Sequence, residues 1–184
     1  EYKVRITKND KTYFGKVIIE NYPHSIHNKE ARAAQNAAMM RMYSLIERVA
    51  YNAEQITIMR DSLRSRAAAL TNEATKATVT ALVQKLDSLH KTVVAKKSSL
   101  FADTEPQLRE KIADIYGDIS GYAGKPSDEQ LTRVAGFEQD VQKLEMLIDQ
   151  IRTKDLTQIN TVLSSNKLPA VTVISKTEFM NRED

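Results

Sequence analysis

A mainly α fold, an antiparallel bundle of about four long helices behind an N-terminal β-hairpin, is predicted by three features of this 184-residue chain. No glycine lies between Gly15 and Gly117, and no proline between Pro23 and Pro106. Within that span Met42, Val49, Ile56, Leu63 and Leu70 recur every seven residues, and Val79, Leu86, Val93 and Leu100 repeat the spacing. Such unbroken apolar heptads mark long helices packed along a seam. The opening residues instead alternate apolar and polar side chains, the period of a strand with one buried face.

In the hairpin, Tyr2, Val4 and Ile6 alternate with Lys3, Arg5 and Thr7, and Thr12 to Asn21 is rich in β-branched and aromatic residues. A two-residue turn at Asn9-Asp10 places Ile6 opposite Tyr13, Val4 opposite Gly15 and Tyr2 opposite Val17, all on one face. Asn and Asp both tolerate the positive φ of a type I′ turn. Because an isolated hairpin is marginal in water, this one is expected to lean on the helices, on a neighbouring domain, or on both.

The segment from Asn21 to Ser25 breaks the strand, and Asn28 is placed to cap a first helix over about 29–69. At 1.5 Å per residue that helix spans about 60 Å. Beside its main seam run Ile46, Ala53, Arg60 and Ala67, with Arg60 interrupting the apolar row. Thr71-Asn72 is a polar break before a second helix over about 75–101, whose seam adds Leu82 and Leu89. Thr104-Glu105-Pro106-Gln107 has capping-box spacing with proline in the first turn. A third helix carries Leu108, Ile112, Ile115 and Ile119 on one stripe and ends among Gly117, Gly121 and Gly124. Ser127-Asp128-Glu129-Gln130 is a second capping box. The fourth helix bears Val134, Phe137, Val141, Leu144, Ile148 and Ile151, then Leu156, Ile159 and Leu163, with a kink expected near Thr153-Lys154-Asp155. Asn166 is the expected stop. Val171 to Ile174 has strand character and is expected to add to the hairpin, and the last ten residues read as loose and polar.

The resulting organisation is a hairpin over 1–22, a helical bundle over 23–169, and a strand-like segment with a polar tail over 170–184. The expected bundle core is Met42, Val49, Ile56, Leu63, Val79, Leu86, Val93, Ile112, Val134, Val141 and Ile148.

Composition fits an ordered helical chain: 41% hydrophobic, 28% charged, net charge +3 with the signs interspersed. That excess is too small to argue for nucleic acid. The absence of cysteine excludes disulfides, thiolate catalysis and cysteine-ligated zinc. No apolar run reaches the roughly 20 residues of a membrane span. The start at Glu1-Tyr2-Lys3-Val4, without initiator methionine or signal region, reads as a piece of a longer chain.

Few residues suggest chemistry. His24, His27 and Glu30 have a spacing that could gather metal ligands, but no fourth ligand accompanies them, and a polar linker is the preferred reading. His90 reads as a solvated side chain. Glu110, Asp114 and Asp118 form a row running from the face opposite the Leu108 stripe to its flank, so a solvated acidic row is preferred to an acid/base or cation site. Met39, Met40, Met42 and Tyr43 could present an adaptable binding surface, with core packing preferred. Arg32, Arg41, Arg48, Arg60, Arg64 and Arg66 are mixed with acids and not interleaved with aromatics, so a solvated face is preferred to a nucleic-acid platform. Gly136 within the fourth helix is read as a close approach of another helix. No phosphate loop, nucleophile elbow or Ser/His/Asp constellation is present. No catalytic, metal or cofactor residue is assigned.

Two stretches carry a family resemblance. Glu1 to Ile6, followed by Lys11-Thr12-Tyr13 and Val17-Ile18-Ile19, resembles the last hairpin of a small β-domain in exported bacterial proteins with a BNR-repeat, sortilin-like propeller, often labelled glycosyl hydrolases. Gly121-Tyr122, Gly124-Lys125-Pro126-Ser127 and Gln130-Leu131, with Leu156, Asn160, Leu163, Leu168 and Pro169, are similar to their C-terminal helical region. The chain departs after the second strand, where Asn21-Tyr22-Pro23-His24 stands in place of an acidic-Pro-Arg ending. The resemblance implies an exported, non-catalytic structural or interaction module whose partner is the upstream domain of the same polypeptide. Two alternatives stand beside it: a homo-oligomerisation device using the same seams, and an accessory domain of a glycoside hydrolase whose propeller is absent from this sequence.

Overall fold

The computed structural model describes residues 1–20, 22–96 and 105–182. Strands β1 (Tyr2–Lys8) and β2 (Lys11–Val17) precede helices α1 (Lys29–Ala68), α2 (Glu73–Val93), α3 (Leu108–Gly121) and α4 (Asp128–Gln150). A five-residue π-helical turn (Ile151–Asp155) joins α4 to α5 (Leu156–Ser165), and a short α6 (Lys176–Met180) follows. The protein is mainly helical, with the antiparallel hairpin at its N-terminus.

The hairpin has the register its alternation dictates: Tyr2 opposes Val17, Val4 opposes Gly15 and Ile6 opposes Tyr13. Asn9 (φ 47°) and Asp10 (φ 62°) supply the two left-handed residues of the type I′ turn. The hairpin does not lean on the helices. Apart from the half-buried Val4, all its strand residues are exposed.

Helix α1 is the axis of the bundle, packing on α2, α3 and α4. Its start is fixed by Asn28, whose side chain accepts from the Ala31 N–H at 2.8 Å. Asn72 caps α2 in the same way, at 3.0 Å to Thr75. From there α2 runs back beside the C-terminal half of α1, where Arg64 meets Asp87 at 3.0 Å. Helix α3 continues the same descent beside the N-terminal half, where Gln35 reaches the carbonyl of Ile119 at 2.8 Å and also that of Tyr122. The α4–α5 rod then runs parallel to α1, tied by Arg41–Glu138 and Arg48–Glu145, each pair one heptad beyond the last. The bundle thus has three rows: α1, the α4–α5 rod, and a row divided into α2 and α3. The part of the α1 seam that outruns α2 is covered by α3.

Every expected core position is buried, from Met42 and Val49 on α1 to Val141 and Ile148 on α4. Each such side chain contributes about 1.5–3 kcal/mol by leaving water. The heptads specify this core because a seven-residue apolar repeat keeps one stripe facing the same neighbour along the rod.

Several boundaries differ from expectation. Helix α2 ends at Val93, well before 101, and Leu100 and Thr104 lie outside the described residues. Helix α3 starts only at Leu108, so Pro106 precedes the helix instead of sitting in its first turn. Its N-terminus is served by Glu110, which accepts from the Gln107 N–H at 3.2 Å and from the Ala95 N–H at 3.0 Å. Glu110 therefore bridges the ends of α2 and α3 and is not part of a solvated row. Ser127 and Gln130 make the expected reciprocal cap of α4. Where a kink is expected, near Thr153-Lys154-Asp155, the structure has the π-helical turn, and helical backbone continues through it to Ser165. Val171 to Ile174 form no strand and do not join the hairpin. They belong to an extended strap in which Val171 is buried and bracketed by both side-chain atoms of Asn160, at 2.8 and 2.9 Å. Beyond it, α6 is capped by Ser175 and Glu178, so 175–182 is not a loose tail. Gly136 meets nothing: a Cβ there would have no neighbour within 4 Å, so no helix approaches it closely.

Candidate functional site

Extending the α1 seam by alternate steps of three and four gives Met42, Leu45, Val49, Asn52, Ile56, Met59 and Leu63, all buried. Asn52 is the one polar member. It is 3% exposed, and its neighbour Gln55 is 4% exposed. Both open into a recess of about 400 Å³ between α1, α4 and α6. From α1 it is lined by Arg48, Tyr51, Asn52 and Gln55; from α4 by Glu145, Met146, Ile148 and Asp149; from the π-helical turn by Arg152; and from α6 by Lys176.

Each element has a local reason to reach the recess. Arg48, Tyr51, Asn52 and Gln55 share one helical face at spacings of three, four and seven. On α4, Glu145, Ile148 and Asp149 repeat the pattern. The wider π-helical turn, a feature frequent at functional sites, begins immediately after and carries Arg152. Lys176 arrives because the strap after α5 folds back along α1. Arg66 donates to the Pro169 carbonyl at 3.2 Å, and the Tyr51 hydroxyl donates to the Ile174 carbonyl at 3.1 Å. The Tyr51 and Phe179 rings lie 5.6 Å apart, and Arg182 pairs with Glu54 at 2.7 Å.

Charges here are mostly matched. Arg48 grips Glu145 bidentately at 2.8 and 2.6 Å, and Arg152 meets Asp149 at 2.6 Å. The Arg48 guanidinium holds the Glu145 carboxyl below the ordinary carboxylate range against the opposing effect of burial, with lesser help from Asn52 and Lys176. Lys176 is in no ion pair among the described residues. The polar core is incompletely satisfied. Gln55 donates to Asn52 Oδ1 at 3.5 Å, while Asn52 Nδ2, on the side of Glu145 but short of hydrogen-bond geometry, has no partner.

Compared with known proteins, the chain matches no family model, no curated protein and no solved structure.

Of the residues singled out from sequence, Arg48 lines the recess, paired with Glu145, and the others lie elsewhere. His24 packs edge-on against Tyr22 and His27 against Tyr122, with centroids 5.3 and 5.1 Å apart. Among the described residues no three His, Asp or Glu side chains gather where they could hold a metal ion. His90 is partly buried beside Arg60 and Asp87 at the α2–α3 junction, not fully solvated. Met42 is core and Met39 packs against it, but Met40 and Tyr43 are exposed. Arg60 is turned to Asp61 at 2.7 Å and Asp87 at 3.6 Å. No helix among the described residues is long and apolar enough to cross a membrane. Asn52 and Gln55 were missed by the sequence reading. The signal was the polar residue at the centre of the Leu45–Asn52–Met59 ladder, parallel to the one that was read.

Proposed function

We propose that this chain is a non-catalytic structural and interaction module, with its hairpin built into a β-domain of the same exported polypeptide. The observation that carries the reading is a hairpin that is internally complete yet uncovered. Ile6 is 60% exposed, Tyr13 56% and Phe14 78%. Both outer strand edges are unpaired among the described residues. Exposed apolar strands with open edges favour pairing with another β-structure. The resemblance of Glu1 to Ile19 to the last hairpin of a β-domain supports the same occupant, and the helical rods would then act as a strut on that domain.

Hydrogen exchange on the longer polypeptide tests this. Amides of residues 2–17 are expected to exchange at least about tenfold more slowly there than in the 184-residue chain, because their edges and face are covered. Equal exchange in the two would overturn the reading. The homo-oligomer alternative was expected to use the helical seams, but Met42, Val49, Ile56 and Leu63 are wholly buried within one chain, so self-association would have to go through the exposed hairpin instead. Light scattering of the isolated chain separates the two: concentration-dependent dimers with protected hairpin amides favour self-association. Activity of the longer polypeptide that survives deletion of 30–184 would agree with a non-catalytic role for the bundle.

A further inference from the structure

The hairpin offers a partner two edges, and they are not alike. With Asn9-Asp10 as a two-residue turn, Lys8 and Lys11 close the ladder, and hydrogen-bonded and non-hydrogen-bonded pairs alternate from there. Tyr2, Val4 and Ile6 therefore bond to β2, while Lys3, Arg5 and Thr7 turn their N–H and C=O groups to the outer edge of β1. On β2 the outward residues are Thr12, Phe14 and Lys16. The β1 edge alternates without a break, with Tyr2, Val4 and Ile6 on one face and Lys3 and Arg5 on the other. The β2 edge is interrupted at Gly15, which has no side chain to pack against a neighbour. One face of the hairpin is thus basic, and its charges are set against each other. Lys3 lies directly opposite Lys16 in a non-hydrogen-bonded pair, where side chains come closest, and Arg5 is diagonal to Lys16. Like charges so placed cost stability. Lys16 is relieved by Glu1 at 2.7 Å, but Lys3 and Arg5 are in no ion pair among the described residues.

We propose that the outer edge of β1 is the docking edge of this chain, and that its occupant is a strand alternating acidic and apolar residues. The inference rests on the reading that the hairpin is built into a β-domain, and adds which edge is used and what sequence it selects. A strand bonded to the backbone of Lys3, Arg5 and Thr7 lays alternate side chains on the two faces. Those on the basic face stand beside Lys3 and Arg5, where carboxylates neutralise charges that β2 leaves unmatched. Those on the other face continue the apolar row, in which Tyr2 is 61% and Ile6 60% exposed. Basic side chains on an edge otherwise block unselective pairing. That same property refuses a second copy of this chain. Two β1 edges paired antiparallel about Val4 set Lys3 against Arg5 on both sides, and an acidic strand meets no such penalty. Charge thereby makes an open edge selective.

The test is an NMR titration of the backbone amides of the full 184-residue chain at constant ionic strength. The probe is an end-blocked peptide of alternating valine and glutamate, with a valine–lysine peptide of the same length as its counterpart. The glutamate peptide is expected to shift the amides of Lys3, Arg5 and Thr7 saturably, and those of Thr12, Phe14 and Lys16 much less. The lysine peptide is expected to move neither set. The double variant Lys3→Glu, Arg5→Glu is expected to bind the glutamate peptide about tenfold more weakly and to admit the lysine peptide, since two attractive neighbours become repulsive. Both positions are exposed, and α-proton contacts between Thr7 and Thr12 report whether the hairpin survives the change. Should it not, Lys3→Gln, Arg5→Gln decides, with severalfold weaker binding of the glutamate peptide expected. No saturable shift on the β1 edge, larger shifts on the β2 edge, an equal response to the lysine peptide, or an unchanged preference in the variants would overturn the proposal. Its failure is separable from that of the docking reading. Slow exchange across residues 2–17 in the longer polypeptide, without a response to the glutamate peptide, would keep the docked hairpin and remove the acidic strand from the β1 edge.

Discussion

Asn52 and His90 show how a single buried polar side chain sets a measurable property of the bundle. Asn52 sits at a seam position whose heptad neighbours, Leu45 and Met59, are apolar and buried. Replacing it with leucine removes an unsatisfied donor and adds apolar contact at nearly constant volume. The single change also strands the buried Gln55 amide that donates to Asn52 Oδ1, so it is the double variant Asn52→Leu, Gln55→Met that is expected to raise unfolding stability by about 1–2 kcal/mol, read as a higher urea midpoint at unchanged slope. A lower midpoint would mean that the amide is satisfied in solution. His90 acts through protonation. Burial pushes its imidazole below the ordinary value of 6.5; Arg60 and Arg109 add to that, against Asp87 and Asp61. A depressed value means the folded chain binds fewer protons than the unfolded one. The stability contributed by neutral His90 is thus present above about pH 6.5 and falls as pH drops through the folded value. Unfolding midpoints measured between pH 7.5 and 5 should fall in the native chain (about 1 kcal/mol or less for a partly exposed group) and fall less in His90→Gln.

At the scale of elements, the pairing of α1 with α4 is the contact most exposed to acid. Arg41 holds Glu138, and Arg48 holds Glu145, below the ordinary carboxylate value of 4.5. With folded values depressed, the pairs stabilise fully above that value and release their contribution as pH falls below it. The double variant Glu138→Gln, Glu145→Gln is expected to lose stability at pH 7 but to show a shallower decline between pH 5 and 3 than the native chain, followed by circular dichroism. Gln35 sets a second element-scale expectation. It is 6% exposed and donates to carbonyls at the end of α3, so Gln35→Leu strands those acceptors and should cost about 1–3 kcal/mol. Elements of these kinds differed in how readable they were. Asn28, Asn72 and Ser127 were legible as caps or breaks because capping is a local bond between a side chain and a backbone two or three residues on. The α2–α3 junction was not, because Glu110 serves Ala95 and Gln107 at once, and that bond depends on where the two helices meet. The strap at Val171 to Ile174 failed for the same reason. Its β-branched residues suit a half-buried surface of any kind, and the surface that covers Val171 is a helix bearing Asn160.

For the whole molecule, a strong local pattern can specify an element without specifying its neighbour. The hairpin and the bundle were both legible from periodicity, but which of the expected supports the hairpin uses, the helices or a neighbouring domain, was not, because alternation says which face is apolar and nothing about what covers it; the helices do not cover it. The candidate site was less legible still. It joins α1, the π-helical turn and α6 across more than a hundred residues of sequence, and only its Asn52 left a local trace, as a break in an apolar ladder. Independence of the two parts has a direct consequence. Residues 1–20 contribute no side chain to the buried core, whose members run from Ala38 to Val171. Each bundle core side chain, by contrast, carries a large truncation cost, about 2–5 kcal/mol for a change such as Ile56→Ala. Deleting residues 1–20 is therefore expected to leave the helical circular dichroism per molecule and the thermal midpoint of the bundle unchanged, whereas Ile56→Ala lowers that midpoint by several degrees or more. The measurement is a pair of thermal melts followed at a helical wavelength, with the same slope of transition expected for the native and hairpin-deleted chains. A midpoint that falls on deletion would mean that the hairpin covers the bundle in solution, and its exposed apolar face would then need no other partner.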